Sequence, residues 1–247
     1  MVSAELSASE EEEMRVSMVR SYGNSVRAVE RRYGLFMHIA VLMFALMTVA
    51  NPAWGEATKS VKLVVLGDSL SAGLGLPAQE AFPIKLKKAL QDKGIEADMT
   101  NAGVSGDTSS GGRDRLDWSV PDGTDGVIIE LGANDALRGI DPDLTRTALA
   151  EIVQRLKVRK IPVMLCGMLA PPNYGPDYAA RFNSIYPDLA RKFDVPLYPF
   201  FLDGVAADAK LNQADGIHPT AAGVDIIVKN ILPTVEAFLG TIAEQRR

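Results

Sequence analysis

The 247-residue chain has one cysteine and two histidines. With Cys166 alone, an intrachain disulfide and a Cys-rich zinc site are both excluded. With only His38 and His218, chemistry that needs several imidazoles is nearly excluded as well. Basic residues are in deficit: 26 Lys and Arg stand against 31 Asp and Glu, a net charge of −5. That balance argues against a nucleic-acid partner, which favours a basic face. H-E-x-x-H is absent, and nothing has metal-ligand spacing, so no metal is expected. There is no G-x-x-x-x-G-K-[ST] phosphate loop. Gly73 and Gly75 lack the third glycine and acidic partner of a dinucleotide fingerprint, so no cofactor is expected. What remains is 47% hydrophobic and 23% charged, the composition of a folded globular chain.

Long apolar runs are also scarce. The longest, Leu35 to Ala50, falls short of the roughly 20 residues a membrane span wants. Arg15, Arg20, Arg27, Arg31 and Arg32 precede it; Asn51 and Pro52 follow, then small residues at Ala53, Gly55 and Ala57. A positive region, an apolar region and a small-residue cut site describe a secretory signal, with cleavage after Gly55 or Ala57. The alternative is an uncleaved membrane anchor. No Cys follows the run, which argues against a lipoprotein. The acidic residues before it, Glu5 and Glu10 to Glu13, are unusual for a signal, and Met14 or Met18 could be the start. The expected division is therefore a leader over 1–57 and one domain over 58–247, with no membrane span after cleavage and a periplasmic or secreted location. The domain then keeps 21 Lys and Arg against 24 Asp and Glu and a single histidine, His218.

From Val61 the pattern alternates. Val61–Leu66, Ala97–Thr100, Gly126–Leu131, Ile161–Cys166 and Val195–Tyr198 read as strands. Phe82–Lys93 has helical spacing and Gly94 after it; Pro142–Arg159 follows Asp141 as N-cap; Asp177–Phe193 and Thr220–Leu239 also read as helices. Alternation of this kind predicts an α/β fold with a parallel sheet covered on both faces. In such sheets the sites lie at the carboxyl ends of the strands.

Four strand-end segments carry side chains for chemistry. Gly67-Asp68-Ser69-Leu70-Ser71 places a serine where a strand turns into a helix, although Ser71 stands in place of the last glycine of a G-x-S-x-G elbow. Asn101 to Thr108 includes Gly103, whose N–H a ligand could approach. Gly132-Ala133-Asn134-Asp135 offers an amide to a developing oxyanion. Asp215-Gly216-Ile217-His218-Pro219 pairs a carboxylate with the one domain imidazole across a glycine bend. Each has a plain structural reading: an N-cap serine, a Gly-rich turn, an Asx-turn, a lone histidine. If Ser69 needs an imidazole base, however, His218 is the only one available.

Together the four segments resemble the SGNH or GDSL hydrolase family, whose blocks contribute Ser, Gly, Asn and His. Within it the chain is similar to the bacterial periplasmic thioesterase I, lysophospholipase L1 and arylesterase group, through VVLGDSLSAGLG, NAGVSGDTSSGG, ELGANDALRG, NYGPDY, FDVPLYPFF and DGIHPT. The resemblance implies a flavodoxin-like three-layer α/β/α sandwich with a five-stranded parallel sheet. It implies hydrolysis of acyl esters or thioesters (acyl-CoA, lysophospholipid, aryl esters) through an acyl-serine. Ser69 would be nucleophile, His218 base and Asp215 its orienting carboxylate. The N–H groups of Ser69 and Gly103 and the Asn134 side chain would form the oxyanion hole. The segment Leu169 to Tyr178 would be the loop that meets the acyl chain, through Leu169, Pro171, Asn173 and Tyr174. Met164 and Met168 could line a groove there or be plain core, and Cys166 is read as core. Ala136 stands where many relatives have Gly, which would trim the pocket. A small acyl ester or thioester is the expected partner, and enzymes of the group are commonly monomeric. Three other readings remain: a carbohydrate O-acetyl esterase, a non-catalytic binding module on the same fold, and a flavin-binding flavodoxin.

Overall fold

The computed structural model describes residues 60–246, together with Glu12, Glu13, Arg15 and Ser17. The apolar run 35–50, its arginines from Arg20 on, Met14, Met18, His38, both cleavage positions and the 57/58 boundary lie outside the described residues.

Five strands form one parallel sheet: β1 (Val61–Gly67), β2 (Ala97–Gly103), β3 (Gly126–Glu130), β4 (Val163–Cys166) and β5 (Leu197–Tyr198). Their order is β2-β1-β3-β4-β5, so the chain winds one way from β1 to β2 and the other way from β1 to β3. The carboxyl end of β1 lies at that switch point, which is where ligands bind in open α/β sheets. Leu63 to Leu66 and Val127 to Ile129 are buried, because these central strands have helices on both faces.

The strand ends differ from the sequence expectation for identifiable reasons. β2 continues through Asn101, Ala102 and Gly103, paired with β1 along its whole length. It is an edge strand, so half-exposed polar residues are tolerated and the apolar signal fades early. β4 and β5 begin late because Pro162 and Pro196 have no N–H for a ladder, and Pro199 ends β5.

The helices are α1 (Ser69–Ala72), α2 (Phe82–Gln91), α3 (Ser109–Asp114), α4 (Leu116–Ser119), α5 (Ala133–Leu137), α6 (Pro142–Val158), α7 (Gly175–Asn183), α8 (Ile185–Phe193) and α9 (Ala221–Gln245). The Asp141 side chain caps α6 by accepting from Asp143 N. α2 closes with Gly94 at φ 76°, Gly94 N on Gln91 O and Ile95 N on Leu90 O, a Schellman ending. The expected single helix over 177–193 is two, broken at Ser184. Pro187 cannot donate to the Asn183 carbonyl, so the ladder cannot run through. α9 runs past Gly240, where it was expected to stop. A mid-helix glycine costs about 1 kcal/mol, and burial of Ile242 beyond it outweighs that. By length and composition α9 could cross a membrane, but Val224, Ile227, Ile231, Val235 and Phe238 are packed in the core.

Candidate active site

Ser69 opens α1 directly after β1. The Asp68 side chain caps this turn, Oδ1 accepting from Leu70 N at 3.0 Å, and Gly73 ends it in the left-handed region at φ 82°. The Ser69 hydroxyl lies 2.9 Å from His218 Nε2. On the other side of the ring, Nδ1 lies 2.6 Å from Asp215 Oδ2. This chain assigns the tautomer: Nδ1–H donates to Asp215, and Nε2 accepts from the serine.

A tight hairpin holds the imidazole. Gln213 N donates to His218 O at 2.7 Å, Thr220 N to Leu211 O at 2.8 Å, and Gly216 turns at φ 76°. Asp215 Oδ1 accepts from Ile217 N and His218 N, each at 3.0 Å. Those two N–H groups, then the bond to the imidazole, lower the Asp215 carboxyl from 3.8 to about 2. It is therefore an anion wherever an enzyme works.

Asn134 sits at the N-terminus of α5, in the loop after β3. Its Nδ2 donates to Asp68 Oδ2 at 3.1 Å, which uses one amide proton and leaves the other. Asp68 is buried, and burial pushes its carboxyl up to about 6 against the bonds from Leu70 N and Asn134. Asp135 is buried beside it and accepts from Ser109 N (2.8 Å), Ser109 Oγ (2.5 Å) and Thr145 Oγ1 (3.0 Å), tying the loop to α3 and α6.

Gly103 is not placed as expected. Val104 N donates across to Gly67 O at 3.1 Å, so the preceding N–H points the other way, to the open edge of β2. There Asn101 Oδ1 accepts it at 3.0 Å. The glycine is needed for another reason: a Cβ at 103 would lie 2.5 Å from Ala72 N and 2.8 Å from Asp68 O. Three residues later, Gly106 turns at φ 81° with its carbonyl held by Arg138 Nη2 at 2.7 Å. Its N–H has no acceptor among the described residues.

Arg115, which no local motif marks, is buried and clamps these strand ends. It donates to Gly67 O (2.7 Å), Ala102 O (2.8 Å) and Asp107 Oδ2 (2.6 Å).

A cavity of about 270 Å³ opens beside Ser69 and His218. Its apolar wall includes Leu137, Met168, Leu169, Pro171, Phe200 and Leu202. Leu169 and Pro171 are thus where expected. Asn173 and Tyr174 are not in the lining; Tyr174 packs over Gly139 and donates to Leu137 O at 2.8 Å, supporting the wall from behind. Met168 lines the cavity while Met164 is core, and the Ala136 methyl lies in the wall. Phe200 and Leu202, after β5, were missed, because an apolar run after a strand reads as core. Cys166 is buried.

A hydroxyl, an imidazole and a carboxylate joined at 2.9 and 2.6 Å, on an α/β sheet at its switch point, define a serine hydrolase. Residues 65–226 match the GDSL-like Lipase/Acylhydrolase family. The chain belongs to that family. It is 40% identical over 178 residues to "Esterase TesA" of Pseudomonas aeruginosa, covering 72% of this chain and 89% of that one. It is 37% identical over 203 residues to "Thioesterase 1/protease 1/lysophospholipase L1" of Escherichia coli K12, covering 80% and 93%. Among solved structures, the fold resembles AlinE4, described as an SGNH-hydrolase family esterase. The TM-score is 0.62 at 46% identity, covering 72% of this chain and 96% of that one.

Proposed function

We propose that this enzyme hydrolyses carboxylic esters or thioesters of acyl chains, with Ser69 as nucleophile, His218 as base and Asp215 as its orienting carboxylate. The observation that carries this reading is the Ser69–His218–Asp215 relay opening onto an apolar cavity. His218 Nε2 takes the serine proton as Oγ attacks the carbonyl carbon. The oxyanion is met by the Ser69 N–H and the free amide proton of Asn134. We assign the third donor to Gly106 rather than Gly103, since the Gly103 N–H faces away. The imidazolium then protonates the leaving alcohol or thiol, and water attacks the acyl-serine by the same route. The site is complete within one chain, which supports a monomer.

The acyl chain would occupy the cavity. At about 270 Å³ with aliphatic and aromatic walls, it is far larger than an acetyl group needs. Each methylene it buries contributes about 0.8 kcal/mol, so kcat/KM should rise several-fold per added carbon until the cavity is full. On a p-nitrophenyl ester series, octanoate, with six more carbons, is expected to exceed acetate by about 10³-fold in kcat/KM. A preference for acetate would remove the acyl reading in favour of an O-acetyl esterase.

Export is part of the same proposal. The basic and apolar segments of the leader support it, and N-terminal sequencing of the mature protein checks it: the first residue would be Glu56 or Thr58.

A further inference from the structure

Glu130 is the last residue of β3, in register with Gly67 of β1, and has no solvent exposure. Its carboxyl lies directly beneath α1. Oε2 is 3.4 Å from Asp68 N, and Ser71 lies close enough to oppose the rise of its carboxyl. The fit is close enough that a Cβ at residue 67 would lie 2.8 Å from Oε2. No hydrogen bond in the relay of Ser69, His218 and Asp215 uses this carboxyl. A buried acid with no such task is costly, and oxygen Oε1 has no partner among the described residues.

Its use shows in the N–H groups from Asp68 to Ala72. Asp68 N donates to Glu130, Leu70 N to Asp68 Oδ1 and Ala72 N to Asp68 O, and Ser71 N faces Glu130 closely enough to lower its carboxyl in part. Ser69 N has no acceptor among the described residues. We infer that Glu130 is a positioning residue: its carboxyl takes up the N–H groups on either side of the nucleophile, so that the turn is fixed and the Ser69 N–H is left for the oxyanion.

This role rests on the acyl-serine reading above. It also calls for a neutral carboxyl. Asp68 lies on one side of it, and the Cys166 thiol on β4 and the Tyr186 hydroxyl on α8 are near. Among the described residues, no cation faces it. Burial first and the Asp68 charge second push the Glu130 carboxyl well above its ordinary value. As an acid it can donate to Ser71 Oγ, whose own proton then reaches Asp68 O at 3.4 Å. A carboxylate there would add a second negative charge beneath a site that must stabilise an oxyanion.

The test compares Glu130→Gln, Glu130→Met and Ser71→Ala with the parent enzyme on p-nitrophenyl octanoate, with Ser69→Ala as the reference for lost chemistry. Glutamine reproduces the neutral acceptor, and kcat should stay within about threefold. Methionine fills the space without an acceptor. It leaves the buried Asp68 N–H without its acceptor, so it should melt below the parent while still folding. Its kcat should fall about 10–100-fold with KM within about twofold, the signature of a displaced donor. Ser71→Ala should lose several-fold in kcat alone, and it decides the matter if the methionine variant does not fold. Parent-like kcat in the methionine variant, or in Ser71→Ala where that variant does not fold, would overturn the inference. So would equal damage from glutamine and methionine. If Ser69→Ala kept its turnover, the acyl-serine reading itself would fail, which is a separate result.

Discussion

Replacing Ser69 by alanine is expected to lower ester turnover about 10⁶-fold, to the level left by binding and the oxyanion donors. Among the described residues, the hydroxyl is the only nucleophile in contact with the imidazole, at 2.9 Å. Removing it leaves His218 with nothing to deprotonate but water, which is not held in line with the carbonyl. KM should change little, because the cavity wall that holds the acyl chain is untouched. The fold should also survive: one small, nearly buried hydroxyl is lost from a turn held by the Asp68 cap. The expected result is a variant with parent-like melting temperature, no burst of released p-nitrophenol, and no labelling by a fluorophosphonate that reacts with the parent at Ser69. Adding His218→Ala to it should cost almost nothing more, since groups that act as one unit are not additive. Turnover within tenfold of the parent would sink the scheme.

The residues that touch the reacting atoms were legible because chemistry restricts them to few types, and this chain has few to offer. A single histidine over 58–247, with an aspartate three residues before it, left His218 as the one candidate for an imidazole base. The alternation of strands and helices gave the sheet, and the strand-end rule gave the loops. What was not legible depends on direction rather than identity. Gly103 and Gly106 look alike in a string, and only the ladder bond from Val104 to Gly67 shows that the Gly103 N–H faces the open edge. Glu130 read as the tail of a buried strand, since nothing local tells a carboxyl beneath a turn from one beside solvent. Arg115, three residues past NAGVSGDTSSGG, and Phe200, inside FDVPLYPFF, carry no chemical signature of their own, so their roles appear only when the sheet brings them together. Helix ends moved for a related reason. Ile242 holds α9 past Gly240 through a long-range contact that local propensity does not contain.

Asp215→Asn is the sharpest test of the relay, because it changes one atom and should still cost about 10⁴ in kcat. The carboxylate now accepts three hydrogen bonds: His218 Nδ1 on Oδ2, and the N–H groups of Ile217 and His218 on Oδ1. An amide has one acceptor oxygen. Turned to the two backbone N–H groups, it presents NH2 to Nδ1, which must then be unprotonated. The ring proton moves to Nε2 and points at Ser69, so the base becomes a donor. Turned the other way, NH2 faces two N–H donors and the hairpin that carries His218 is strained. Either way the variant should keep KM and lose kcat. The pH behaviour separates this from simple loss of charge. The folded carboxyl stays anionic down to about 2, against 3.8 for the ordinary group, so the unfolded chain takes up that proton first as pH falls. Its stabilising contribution is therefore whole above 3.8 and lost between 3.8 and about 2. At neutral pH the variant should remain folded while its kcat lies about 10⁴-fold below the parent's. A loss smaller than tenfold at neutral pH would mean that the backbone hairpin alone orients His218, and that Asp215 only closes the turn.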